Sequence, residues 1–330
     1  MKLLVVGAAS PSGKALISLL RQRRIPHHSF NERQLDDEDP ADAERNLQRL
    51  APDQVLNLAP FKFSSQHAPQ LAERAADACR RANQRRTAKL AQICGKLELP
   101  LLQLSTPYVF DGEKKLGYNE LDDTHPVGVY GTSAWQGELA VQALERHLVL
   151  RTGWLFGPTL NDEIRGWLKA VKRHRGELQV VRRRFSPTPV EDLARVLLAI
   201  CQQVDCDANV WGTYHYCGLE TKKESEFVLQ VLKYASQHDE HIYQLLDSVD
   251  VRETQVAAPE VPNSTLGCKK IFDTFGIKQR SWHGSLQNSI KALYQAGAYS
   301  LGPTDKGERP WQGLGDAQLT GSNYLADEGG

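Results

Sequence analysis

Long apolar runs are missing from this 330-residue chain: no stretch approaches the roughly 20 consecutive apolar residues that span a bilayer. An excess of either charge is missing too. Lys+Arg and Asp+Glu are 40 each, so the total gives no long-range attraction to nucleic acid or to an anionic membrane. The six cysteines (Cys79, Cys94, Cys201, Cys206, Cys217 and Cys268) include no C-x-x-C pair and none of the spacings that hold zinc. They are expected to be reduced, buried or incidental thiols. His238 and His241 stand i and i+3, but without an H-E-x-x-H pattern or a third ligand they give no metal site. No Gly-x-Ser-x-Gly elbow is present, which removes the usual support for a serine hydrolase. Lys2 and the apolar Leu3 to Val6 imitate the start of a signal peptide, but the run is far short of an h-region of roughly 7–15 residues. A reducing compartment, the cytoplasm, is the expectation.

What is present alternates. Leu3 to Val6 reads as a strand that ends at Gly7, and Ala15, Leu16, Leu19 and Leu20 then recur at helical spacing. Further short apolar runs, Gln54 to Leu58, Leu101 to Leu104 and Leu148 to Leu150, read as strands. Between them lie helical stretches, notably Ala68 to Leu97 and Ser133 to Arg146. Such alternation predicts an α/β fold of the Rossmann type, a doubly wound parallel sheet covered on both faces. Beyond Gly157 the pattern becomes helix-rich (Glu163 to His174, Val190 to Gln203, Lys223 to His238, Gly284 to Ala296), with one strand-like stretch, Trp211 to Cys217, that returns to the sheet. The expected organisation is a dinucleotide-binding domain over 1–157, mostly a smaller substrate lobe over 158–300, and a mobile tail over 301–330.

Two segments carry chemistry. Gly7-Ala8-Ala9-Ser10-Pro11-Ser12-Gly13 occupies the first strand-to-helix turn, where glycines let backbone N–H groups approach a pyrophosphate at the helix N-terminus. Ser10 stands at the middle glycine position of a Gly-x-x-Gly-x-x-Gly turn and brings a hydroxyl that can bond phosphate. By itself, the loop is matched by a plain structural turn. The second segment, Leu104-Ser105-Thr106-Pro107-Tyr108-Val109-Phe110-Asp111-Gly112, is followed by Val129-Tyr130-Gly131-Thr132-Ser133-Ala134 at the start of a helix.

These residues resemble the dTDP-4-dehydrorhamnose reductase family of extended short-chain dehydrogenases, which carries Ser-Thr-Asp-Tyr-Val-Phe-Asp-Gly and Val-Tyr-Gly-x-Ser-Lys at these places. The resemblance continues through Arg151 to Pro158, Ser186-Pro187-Thr188 with Asp192-Leu193-Ala194, Gly212 to Tyr216, and Asn263-Ser264 with Phe275-Gly276-Ile277. It implies NADP or NAD as cofactor, a nucleotide-sugar ligand, Tyr130 as proton donor and Thr106 as the hydroxyl that bonds the substrate carbonyl. It also implies cofactor contacts at Gly7, Ser10, Pro11, Ser12, Gly13, Asp36, Asp37, Ala59 and Pro60, and a substrate contact at Trp154. Arg182, Arg183 and Arg184, where the family often has acidic or amide residues, read either as a clamp on a diphosphate or another polyanion, with Arg184 as a substrate contact, or as a solvated surface run. The acidic run Asp36 to Asp39 is equally well read as an exposed helix-capping segment, and neither Glu32 nor Arg33 decides NAD against NADP.

The family's lysine does not carry over. An ordinary tyrosine has a pKa near 10, and a neighbouring ammonium is what brings its phenolate toward working pH. Positions 130 and 134 share one helical face, where Ala134 offers a methyl group. Pro107, Pro60 and Ser10 are further departures around the same site. The expectation is an NAD(P)H-binding protein with impaired catalysis, acting as a ligand-binding or regulatory protein through a protein partner or a homodimer. The alternative is a working reductase in which Lys62 or one of Arg182 to Arg184 replaces the ammonium. The basic set Arg74, Arg80, Arg81, Arg85, Arg86 and Lys89 reads as a solvated helix face opposite Ala78, Ala82, Leu90 and Ile93, and gives nucleic acid little support.

Overall fold

The computed structural model describes residues 1–30, 32–37, 39–62, 65, 67–206 and 208–295; the tail expected over 301–330 lies outside the described residues. The first strand, β1 (Leu3–Val6), pairs in parallel with β2 (His27–Phe30) on one side and β3 (Gln54–Asn57) on the other, Leu3 standing opposite both His27 and Gln54. Beyond β3 come β4 (Leu101–Ser105), β5 (His147–Thr152) and β6 (Gly212–Tyr216), all parallel, giving the order β6-β5-β4-β3-β1-β2. Chain order thus reverses between β1 and β3. That reversal opens a crevice at the carboxyl ends of these two strands, where ligands of doubly wound sheets bind.

Burial explains why most strands were legible. β1, β3 and β4 are buried along their whole length, as parallel strands covered on both faces must be. Strand β2, reading His-His-Ser-Phe, buries only Phe30; an edge strand needs no apolar run, and the sequence reading missed it. One face of the sheet is covered by the helices Pro11–Gln22 and Val190–Asp205 around Leu16, Leu20, Leu56, Leu193 and Leu197. The second of these lies past Gly157 in the chain, yet it belongs to the sheet. The other face carries Pro40–Leu50, Arg86–Lys96 and Gly128–Gln142 around Leu47, Leu90, Ile93 and Val141.

The lobe packs Asp162–Arg173, Glu224–Ala235 and His283–Gln295 with a parallel strand pair, Glu177–Val181 and Asp250–Thr254. At its base Trp154, Phe156, Trp167, Phe185 and Phe227 meet with ring centroids 5.5–6.1 Å apart. This is the spacing at which aromatic rings attract beyond simple burial.

The single helix expected over Ala68 to Leu97 is broken into Ala68–Arg74, Ala76–Arg80, a π-turn at Arg81–Arg85, and Arg86–Lys96. The wide turn brings the Asn83 carbonyl so close to the neighbouring helix that a Cβ on Gly137 would stand 2.2 Å from it. Ala78, expected on the buried side, is exposed. All six cysteines are free thiols, Cys206 exposed and the others buried. Among the described residues no helix is long and apolar enough to cross a membrane, and no three metal-binding side chains stand together.

A buried ionic network crosses the sheet. Arg151 on β5 holds Glu138 through Nε and Nη2 at 3.0 and 2.6 Å, with side chains 4% and 1% exposed. Its Nη1 lies 3.4 Å from Nε2 of His215, whose Nδ1 lies 3.1 Å from the Tyr118 carbonyl. The imidazole therefore donates from Nδ1 and accepts at Nε2, and a second proton would face the guanidinium. Burial first, and Arg151 second, push the His215 pKa down to about 3. A depressed histidine stabilises the fold above its unfolded pKa near 6.5 and loses that contribution as the pH falls toward its folded value. Urea unfolding is expected to lose about 1.4 kcal/mol per pH unit from this group below about pH 6. Subtracting the pH profile of His215→Gln isolates it; identical slopes in the two proteins would refute the assignment.

Candidate nucleotide site

At the crevice between β1 and β3, the chain turns so tightly that two glycines are required. Gly7 has φ +85°, and a Cβ there would lie 2.7 Å from that of Ala59. A Cβ on Gly13 would lie 2.0 Å from the Gly7 carbonyl oxygen. The first helix can therefore sit directly on the strand end, with its N-terminus facing the crevice.

Ser10 caps this helix. Its Oγ accepts from the Gly13 N–H at 3.0 Å and donates to the Leu58 carbonyl at 2.8 Å. The hydroxyl expected to bond phosphate is thus turned into the protein, and Pro11, the first helical residue, brings no N–H. Ser12 Oγ lies 3.2 Å from that of Ser10.

A cavity of about 230 Å³ lies here, walled by Ala9 to Ser12 on one side and by Leu58, Ala59 and Pro60 on another, with Glu32, Lys62 and Leu155 completing it. Asn57 steadies the β3 loop: its Nδ2 donates to Gln103 at 2.8 Å and its Oδ1 accepts from the Ala59 N–H at 3.3 Å. Asp36 is not on this wall. Its carboxylate is gripped by Arg86 through Nε at 2.9 Å and Nη2 at 2.6 Å, which removes Arg86 from the solvated face expected for it. Asp37 ends the same short helix, and its side chain lies outside the described residues.

A second, smaller cavity, of about 30 Å³, has room for about one water. Thr106, Pro107, Tyr108, Tyr130, Thr152 and Trp154 line it, and Ser65 lies on the walls of both cavities. Here the structure brings together the residues expected at the reacting end. Tyr130 is 2% exposed, and Thr106 stands with it on the wall of this cavity. Burial drives its pKa above the ordinary tyrosine value, and the neighbouring Thr106 hydroxyl only partly opposes this. Among the described residues, the groups that act on it are Thr106, Cys79 and Glu260, none of them a cation. One turn along, Ala134 is half-buried against the apolar core of the sheet.

Arg182, Arg183 and Arg184 diverge rather than form a clamp. Arg182 pairs with Glu253 at the surface, and Arg184 is exposed beside Thr221, off the cavity wall. Arg183 is the one that reaches the cavity, and it is 6% exposed between Glu224 at 2.6 Å and Glu260 at 2.9 Å. The same Glu260 oxygen accepts from Tyr108 at 2.9 Å, and Tyr108 meets Tyr130 edge-on at 5.5 Å. Burial, and then Glu260, raise the Tyr108 pKa well above its ordinary value. Thr152 Oγ1 and Trp154 Nε1, both on this wall, are buried polar atoms with no protein partner. Such atoms are what a polar ligand would satisfy.

Sequence reasoning missed Arg183, Glu224, Glu260 and Tyr108 as one group, because the glutamates arrive from segments 41 and 77 residues past Arg183. Choosing Arg183 over Arg184 needed the direction each side chain takes from this segment, which three identical residues do not encode.

Fold and crevice define a doubly wound α/β protein of the Rossmann type. The family model described as the RmlD substrate binding domain matches residues 1–295, and the chain belongs to that family. A dTDP-4-dehydrorhamnose reductase of Aggregatibacter actinomycetemcomitans is 28% identical over 294 residues, covering 87% of this chain and 97% of that one. The dTDP-4-dehydrorhamnose reductase of Bacillus anthracis, solved in complex with NADP, superposes with a TM-score of 0.70 at 23% identity, covering 88% of this chain and 98% of its own. The methionine adenosyltransferase 2 subunit beta of Bos taurus is 27% identical over 231 residues, or 66% of this chain and 65% of that protein.

Proposed function

We propose that this chain binds a nicotinamide dinucleotide along the Gly7–Gly13 turn and a nucleotide sugar above Tyr130, but does not reduce that sugar, and serves as a ligand-binding or regulatory subunit. The fit of the dinucleotide rests on the glycine turn, which leaves no space for a Cβ at Gly7 or Gly13, and on the cavity beside it. Gly7, Pro11, Ser12, Gly13, Ala59 and Pro60 would hold it. When bound, the nicotinamide supplies a hydride; the protein must supply the proton.

That proton is where the reading turns. Tyr130 is buried, its ionisation is suppressed by burial, and Ala134 gives it no charge. Thr106 and Tyr130 line the same cavity, so the pair can still position a carbonyl while lacking the ammonium that would cycle the phenolate. A reductase would need a substitute cation. Lys62 lines the larger cavity rather than the Tyr130 cavity, and Arg183 is matched by two carboxylates. The subunit name carried by the bovine relative supports action through a protein partner.

Fluorescence titration with NADH and NADPH, followed by assay with dTDP-4-keto-6-deoxy sugars, tests this. Saturable cofactor binding without oxidation is the expected result. Steady turnover by the wild-type chain would overturn the non-catalytic reading, and absence of binding would overturn the dinucleotide reading.

A further inference from the structure

We infer that Glu32 makes the larger cavity selective for a dinucleotide whose adenosine ribose carries a free 2′-hydroxyl, against one carrying a 2′-phosphate. This rests on the reading that the Gly7–Gly13 turn holds a dinucleotide. In a doubly wound sheet the pyrophosphate lies at the start of the first helix, and the adenosine ribose then falls over the carboxyl end of the neighbouring strand, where an acidic side chain can accept from its hydroxyls. In this chain that strand is β2, which ends at Phe30, and Glu32 opens the helix that follows.

The placement was not decidable from the sequence, because Glu32 and Arg33 were equivalent candidates. The structure puts Glu32 on the cavity wall, together with the Ala9 to Ser12 turn and Ala59-Pro60. A carboxylate there accepts from vicinal ribose hydroxyls, and it faces a 2′-phosphate with like charge in a partly enclosed space.

A phosphate at this point would need a cation to receive it. The neighbouring basic side chains are committed elsewhere. Arg86 donates to Asp36 through Nε at 2.9 Å and Nη2 at 2.6 Å and to the Ala59 carbonyl through Nη1 at 3.5 Å, and Lys89 Nζ donates to the Leu35 carbonyl at 2.5 Å. Among the described residues lining the cavity, Glu32 and Lys62 are the charged ones, and Lys62 comes from the segment after β3 while Glu32 comes from the segment after β2. The Arg33 side chain lies outside the described residues, so the test addresses it directly.

The experiment is fluorescence titration of the full chain with NADH and with NADPH at fixed ionic strength, for wild type, Glu32→Gln and Arg33→Ala. Wild type is expected to bind NADH at least about tenfold more tightly, one decade in Kd. Glu32→Gln is expected to bring the two within about threefold, chiefly by gaining affinity for NADPH. Arg33→Ala should leave the wild-type ratio standing. Equal affinities in wild type, or tighter NADPH binding that Arg33→Ala abolishes, would overturn the inference while leaving dinucleotide binding intact. Failure of both cofactors to bind would defeat the dinucleotide reading itself, and this inference with it.

Discussion

Ala134→Lys is expected to raise NAD(P)H-dependent reduction of a dTDP-4-keto-6-deoxy sugar by at least about a hundredfold over wild type, the lower end of what a positioned acid or base contributes. The position lies one turn from Tyr130 on the same helical face. An ammonium there would act on a phenol that is now opposed by burial and assisted only by Thr106. Ala134 is half-buried, so the aliphatic stem of a lysine could run along apolar surface and present its charged head to the cavity. Ala134→Met, of similar length but uncharged, is the control and should give no gain. A rise with lysine alone assigns the missing activity to one charge. No rise with lysine would show that the charge is not the sole deficit and would move attention to Pro60 and Pro107, which stand on the two cavity walls.

The alternation of buried strands and helices was readable because it follows from burial on both faces of a parallel sheet, and four of the six strands announced themselves as apolar runs. The sixth, β6, was read from Trp211 to Cys217 and observed at Gly212–Tyr216, paired with β5. What did not show was β2, whose edge position asks for one buried side chain. The π-turn at Arg81–Arg85 was also hidden, since it answers to the helix packed against it at Gly137 and not to local periodicity.

The site divides in the same way. Gly7, Gly13, Thr106, Tyr130 and Ala134 were singled out from local motifs, whose spacing carries their geometry. Side-chain commitments were not legible. Ser10 turned its hydroxyl to Leu58, Asp36 was taken by Arg86, and Arg183 exchanged a ligand-clamping role for two glutamates distant in sequence. Each of these is settled by a tertiary partner, and a polar side chain near a cavity bonds to whichever group desolvates with it.

Arg151→Ala is expected to cost about 3–5 kcal/mol of stability, the range for removing one partner of a buried ion pair. Arg151 and Glu138 are 4% and 1% exposed, and Glu138 otherwise keeps the Ser105 hydroxyl. Without the guanidinium, a carboxylate would remain in the interior with one neutral donor and would be driven to take up a proton. The double variant Arg151→Met with Glu138→Leu should recover most of the loss, because it removes both charges and keeps much of the volume. Urea unfolding of the single and double variants measures both effects, and a single variant within about 1 kcal/mol of wild type would refute the ion pair's role. The loss of Arg151 should also release His215 from the neighbouring positive charge, the second of the causes that hold its pKa down to about 3. The folded-state pKa of His215 should therefore rise toward its unfolded value in Arg151→Ala. The part of the acid destabilisation that belongs to His215 then becomes smaller and is confined to a narrower pH range, even as the protein as a whole becomes less stable at neutral pH.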